Sequence, residues 1–318
     1  MRLGLGCWAI GGPFWAGEQP LGWGEMDDAE SRHALRVGFD AGARFFDTAD
    51  VYGCGRSERV LGEALADVRE QIVIATKFGN TFDADTLQLT GQDTSPEYIR
   101  QACEASLRRL RTDRIDLYQL HLSGLDLGQA AGEVRDTLEG LVAAGKVRAY
   151  GWSTDDPERA AVFADGAKHN AAVQHELSLF ADAPEMLTHC TQRRLASINR
   201  SPLAMGLLTG KFHAGSRLGN DDVRGKQPEW LRFFDAGQPK AEWLRRLEAV
   251  REVLQSGGRT LAQGALAWIW GRSGVTVPIP GFRTVAQASE NAEALTFGPL
   301  TEAQVNEVRA LLSLDGEA

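Results

Sequence analysis

Asp47, Tyr52, Lys77 and His121 stand where apolar runs give way to turns: FFDTADVYG (45–53), IVIATKFG (72–79) and IDLYQLHLSG (115–124). Together these side chains suit one kind of chemistry, hydride reduction of a carbonyl. A carbonyl that receives hydride becomes an alkoxide and needs a proton. A phenol can give one, but an ordinary tyrosine, with a pKa of about 10, is a weak acid near neutrality. A neighbouring ammonium favours the phenolate and lowers that pKa. In this reading Lys77 supplies the ammonium, and Asp47 pairs with it and keeps it ionised. His121 donates a ring N–H to the carbonyl oxygen and fixes its orientation. Tyr52 is then the general acid. A structural Asp47–Lys77 ion pair or a satisfied buried His121 would explain single members of this set, but not the whole set with Tyr52 between them.

Residues far apart in the chain need a fold that gathers them. Short apolar strands alternate with helix-length segments: RLGLGC, RFFDTA, IVIATK, IDLYQLH, VRAYGWS, AAVQHE, LASINR and VTVPIP are the eight strand candidates. Helices are expected over residues 28–43, 95–111 and 137–146. Eight such alternations with no strand-only region predict an α/β fold, a (β/α)8 or TIM barrel, as a single domain over residues 1–318. The C-terminal strand ends of such a barrel converge on one face, where active sites lie. No GxGxxG follows the first strand, so a Rossmann fold has little support. Long loops are expected at the active face over residues 11–26, 79–95 and about 204–239.

The 318 residues include 43% hydrophobic side chains, ample for a core, and carry a net charge of −9. That charge argues against nucleic acid or an anionic membrane surface as the main partner. The four cysteines form no CxxC pair, and the five histidines besides His121 show no metal-binding spacing, so no metal site is expected. Neither a leader pattern nor a membrane-length apolar run is present, and the expected location is cytoplasmic. The sequence sets no oligomeric state.

With these residues in view, the chain resembles the aldo-keto reductase superfamily, from RLGLGCWAIGG (2–12) to PIPGFRTVAQASENAEAL (278–295). Asp47, Tyr52, Lys77 and His121 match its catalytic tetrad in order and context. The resemblance implies NADPH-dependent reduction of aldehydes and ketones, including small aldehydes and sugar-type carbonyls. NADH is a weaker alternative cofactor, and the partner is a small carbonyl substrate. Cofactor contacts are implied at Gly6, Cys7 and Trp8 after the first strand, and at Asp47. In SPLAMGLLTGKF (201–212), Ser201, Pro202, Leu203, Gly206, Leu207 and Lys211 would surround the pyrophosphate, with Arg224 of DDVR closing over it. Pro280, Gly281, Phe282 and Arg283 precede a helix expected to be capped by Thr284; Arg283 would meet the adenosine 2′-phosphate, and Gln287, Glu290 and Asn291 the adenine. Ser153 and Gln174 suit the nicotinamide amide, with Phe180 stacking on its ring. Thr154 departs from the asparagine common in relatives. Trp15 and Trp23 of the first long loop are expected to contact substrate together with Tyr52 and His121, whereas Trp230 reads as a packing residue. Many members begin with a hairpin that closes the barrel bottom, and here the first strand starts almost at once. Two other readings stay open: a cofactor-binding partner module of the channel β-subunit kind, and a barrel hydrolase or aldolase with Lys77 as a Schiff base.

Overall fold

Eight parallel strands follow one another around a single sheet in chain order: β1 (Gly4–Gly6), β2 (Phe45–Asp47), β3 (Val73–Phe78), β4 (Ile115–Leu120), β5 (Val147–Ser153), β6 (Asn170–Glu176), β7 (Ala196–Arg200) and β8 (Thr276–Pro278). The computed structural model describes residues 2–226 and 230–314. Each strand falls on one of the eight expected segments. Gly6 closes the seam, its N–H donating to Pro280 O at 3.0 Å beside a bridge to Gly281. A Cβ on Gly6 would lie 2.7 Å from Ile279 O, so only glycine permits this approach. The result is a nearly closed (β/α)8 barrel.

Alternation along the strands sorts the interior into layers. Phe45, Ala75, Leu117, Ala172, Ile198 and Val277 make an apolar layer within the barrel. Two residues further along β2, β3, β4 and β6 stand Asp47, Lys77, Gln119 and Gln174, all buried. A polar layer therefore lies directly above an apolar one. Phe46, Ile74, Tyr118 and Trp152 have the opposite parity and pack outside, in the core cluster shared with helical residues such as Leu35 and Leu107.

Helix α1 (Asp28–Asp40) starts at Asp27, whose carboxylate accepts from Ala29 N at 2.7 Å, and α3 (Pro96–Leu110) starts at Ser95. The third expected helix begins earlier than its apolar pattern indicated, running from Gln129 to Ala143. The long loops hold strands the sequence reading lacked. Trp15–Ala16, Gln19–Pro20, Asn80–Asp83 and Gln88–Gln92 form a four-stranded sheet, joined across two loops by the pairing of Trp15 with Gln88. The third loop carries a hairpin, Phe234–Asp235 with Gln238–Pro239. Among the described residues no helix is long and apolar enough to cross a membrane.

Candidate active site

The Lys77 ammonium is the hub of the polar layer. Its Nζ donates to Asp47 Oδ2 at 2.6 Å, Thr48 O at 2.7 Å and Tyr52 Oη at 3.2 Å, which uses all three of its hydrogens. Asp47 Oδ1 accepts from Gln174 Nε2 at 2.7 Å and Gln119 Nε2 at 3.2 Å. Gln119, which the sequence reading missed, thus helps aim the carboxylate at Lys77. Burial opposes the Lys77 charge, but Asp47 and Tyr52 outweigh it and raise the pKa above the ordinary lysine value.

Tyr52 sits on the turn that leaves β2. Gly53, Cys54 and Gly55 follow it with φ of 58°, 50° and 93°, a left-handed run that lets the chain reverse at once into α2 (Arg56–Leu65). A Cβ on Gly53 would lie 1.8 Å from Gly11 O. Thr48 Oγ1 donates to Ser57 Oγ at 2.8 Å, and Ser57 Oγ donates to Cys7 O at 2.7 Å, tying both ends of the turn to β1. The fully buried Glu58 accepts from Thr76 Oγ1 at 2.5 Å and Arg109 Nε at 2.6 Å, anchoring α2 behind it. Burial raises the Tyr52 pKa above that of an ordinary phenol, and the nearby Lys77 charge lowers it without cancelling that rise. The hydroxyl is therefore protonated at neutral pH, as a proton donor requires.

The His121 ring stands perpendicular to Tyr52, with centroids 5.9 Å apart. Its backbone is pinned on both sides: His121 N donates to Phe78 O at 2.8 Å, and Asn80 Nδ2 donates to His121 O at 2.9 Å. Burial, then the Lys77 and Arg200 charges, hold its pKa well below the usual histidine value. The imidazole is neutral, and its buried Nδ1 has no hydrogen-bond partner among the described residues. Arg200, another residue the sequence reading missed, ends β7 on the cleft wall and pairs with Asp155.

These groups open into a cleft of about 810 Å³. Gly6, Trp8, Ser153, Thr154, Gln174 and Trp23 line it, as do Ser201, Pro202, Leu203, Gly206 and Lys211 from the segment after β7. Gly281, Phe282, Arg283, Gln287, Glu290 and Asn291 complete one end. The segment after β7 is strained: Ser201, Ala204 and Met205, none of them glycine, have φ of 52°, 47° and 56°. Thr284 caps its helix as expected, accepting from Gln287 N at 3.3 Å.

Several expected contacts are placed otherwise. Phe180 lies off the cleft, its ring 5.1 Å from Trp243 and 6.4 Å from Phe233 in a separate aromatic cluster. Trp15 is turned away because Phe14, its neighbour in an extended segment, takes the cleft side. Cys7 and Leu207 are wholly buried, and Pro280 contributes its carbonyl to the barrel seam. Arg224 reaches the cleft, but its charge is matched by Asp222, with Nε–Oδ1 at 2.8 Å and Nη2–Oδ2 at 2.6 Å. It braces Met205 O at 3.0 Å and lies 4.3 Å from the Trp23 ring. Asn291 Nδ2 donates to Gly281 O at 3.1 Å, and Gln287 Oε1 accepts from Arg283 N at 2.8 Å, so both hold the turn before their helix. The Thr154 hydroxyl accepts from Asp156 N at 3.2 Å, a turn role that needs no asparagine. Lys211 has no carboxylate within salt-bridge distance among the described residues, so that end of the cleft retains positive charge suited to an anion.

The model of the Aldo/keto reductase family matches residues 2–313. The chain is 30% identical over 298 residues to the aldo-keto reductase YhdN of Bacillus subtilis, covering 92% of this chain and 84% of that one. Among solved structures it resembles the glycerol dehydrogenase AKR11B4 of Gluconobacter oxydans, with TM-score 0.82 and 29% identity over 99% of this chain and 92% of that one. It also resembles an aldo-keto reductase of Klebsiella pneumoniae solved in complex with NADPH, with TM-score 0.70 and 26% identity over 98% and 90% of the two chains. Strand order, the Asp47–Lys77–Tyr52 chain and a family match over almost the entire sequence agree: this chain belongs to the aldo/keto reductase family.

Proposed function

We propose that the chain reduces aldehydes and ketones to alcohols with NADPH, and that Tyr52 delivers the proton. The observation that carries this reading is the 3.2 Å contact from Lys77 Nζ to the Tyr52 hydroxyl, beside the His121 ring, whose Nδ1 has no partner among the described residues. The cleft lining fits the cofactor: the cations Lys211 and Arg283 suit its phosphates, and Ser153 and Gln174 suit the nicotinamide amide. When bound, the nicotinamide supplies the hydride. Tyr52 gives its proton to the developing alkoxide, Lys77 stabilises the phenolate left behind, and His121 holds the carbonyl oxygen. A Schiff-base role for Lys77 finds no support, because its nitrogen is cationic, buried and fully hydrogen-bonded. An NADPH-consumption screen across aldehydes and ketones tests the proposal; tight cofactor binding with no turnover would favour a partner module.

The pH dependence follows from the two shifts. His121 is neutral down to well below its usual range, and Tyr52 stays protonated up to and beyond about pH 10. Neither group changes charge between about pH 6 and 8, so kcat/KM for reduction is flat there. An acid limb near pH 6.5 in that profile would show that His121 titrates in the free enzyme.

Arg283→Ala weakens NADPH more than NADH. Arg283 Nη2 donates to Glu25 O at 2.9 Å and Nε contacts Met26 Sδ at 3.1 Å, so the guanidinium is held on the cleft lining. A charge-assisted hydrogen bond is worth about 1.5–3 kcal/mol. With partial solvent exposure the low end applies, a loss of about tenfold for NADPH. Dissociation constants at one ionic strength decide it; equal weakening of both cofactors would assign Arg283 to loop support.

A further inference from the structure

Trp230 is the one large apolar side chain more than half exposed among the described residues, at 52%. The sequence gives no reason to read it as anything but packing, yet it stands on the cleft wall. Its ring centroid is 6.4 Å from that of Trp8. Trp8 lies nearly parallel to Tyr52, 6.0 Å away at an interplanar angle of 24°. Trp23 meets Trp8 edge-on at 5.3 Å. Trp8 is locked by its indole N–H, which donates to Leu21 O at 2.9 Å. Two rings, Trp8 and Trp230, therefore lead from the proposed proton donor to solvent with Trp23 beside Trp8, and Phe14, Leu21 and Leu89 extend the same apolar wall. Arg224 lies against this wall, 4.3 Å from the Trp23 ring, but its charge is matched by Asp222, so the wall presents no unpaired charge there.

An exposed indole is costly to keep in water unless something covers it. A sugar-type carbonyl placed against this wall would leave its hydroxyls without partners. A flat apolar ring would instead stack on the exposed face of Trp230 and bury hydrocarbon there. We propose that the substrates are carbonyl compounds bearing an aromatic ring next to the carbonyl, and that Trp230 is the residue that selects them. This narrows the small-aldehyde and sugar expectation and rests on the reductase reading above.

The experiment compares kcat/KM for benzaldehyde and for glyceraldehyde, with NADPH, in the parent protein, Trp230→Ala and Trp230→Phe. Taking the ratio of the two substrates within each protein, then comparing proteins, cancels their different intrinsic reactivities. The ratio should favour benzaldehyde in the parent protein, fall about tenfold in Trp230→Ala, equivalent to about 1.4 kcal/mol, and largely recover in Trp230→Phe. The loss should appear in KM for benzaldehyde more than in kcat, because stacking on a remote ring acts in the ground state and transition state alike. A ratio unchanged in Trp230→Ala, or a parent protein that prefers glyceraldehyde, would overturn the assignment while leaving the reductase reading intact. No turnover of either aldehyde by NADPH-bound parent protein would overturn the reductase reading, and this assignment with it.

Discussion

Tyr52→Phe lowers carbonyl reduction by about a hundredfold or more, within the usual range of 10²–10⁴ for general acid catalysis, while NADPH binding stays close to that of the parent protein. The substitution removes one oxygen and little else. Lys77 keeps its bonds to Asp47 and Thr48, so the ammonium stays in place. The ring keeps its packing against Trp8 and its face toward Lys77 Nζ, 4.8 Å from the ring centroid. What is lost is the proton donor, and neither neighbour replaces it: His121 is neutral, and Lys77 is held as a cation by Asp47, with burial outweighed. Steady-state rates with cofactor titration by fluorescence quenching separate the two effects. Retention of more than about a tenth of the parent turnover would rule out Tyr52 as the principal acid.

The tetrad and the barrel were legible for the same reason. Asp47, Lys77 and His121 stand at or within one residue of the ends of strands whose apolar, two-residue rhythm is plain in the sequence, Tyr52 lies on the turn after Asp47, and strand ends in a barrel share a face. Gln119 escaped notice because it looks like a lone polar residue within an apolar strand. The rhythm could have found it, since Phe45–Asp47, Ala75–Lys77 and Leu117–Gln119 repeat one step on neighbouring strands. Arg224 carried its own signal, with Asp222 two residues away in the same DDVR. What stayed hidden depends on contacts between distant loops. Trp15 pairs with Gln88, Trp23 bridges to Asp222, and Lys226 Nζ donates to Glu18 O at 2.7 Å. No local pattern announces such pairings, yet they decide which tryptophans face the cleft. Phe180 failed for a related reason: it follows a strand, but the turn after β6 delivers it to Phe233 and Trp243 instead.

Lys77→Met damages both rate and stability, and the two losses can be separated. Asp47 Oδ2 loses its cation in a buried site, although Gln174 and Gln119 still donate to Oδ1. Removing one partner of a buried ion pair typically costs about 3–5 kcal/mol, and the two amides favour the lower figure. Denaturant unfolding reads that loss. The double substitution Asp47→Asn with Lys77→Met removes the stranded charge and should recover much of the stability, but no activity. For the chemistry, the sign follows from the electrostatics at Tyr52. Burial already raises its pKa, and the Lys77 charge is the largest influence pulling it down. Without that charge the pKa climbs further and the phenolate formed on proton transfer is less stable. Reduction slows, and its alkaline limb moves to higher pH. Alcohol oxidation suffers more, because it needs the phenolate as base, and that form becomes scarcer at every working pH. A kcat–pH profile for oxidation that keeps its parent midpoint in Lys77→Met would show that Lys77 supports the fold without tuning the acid.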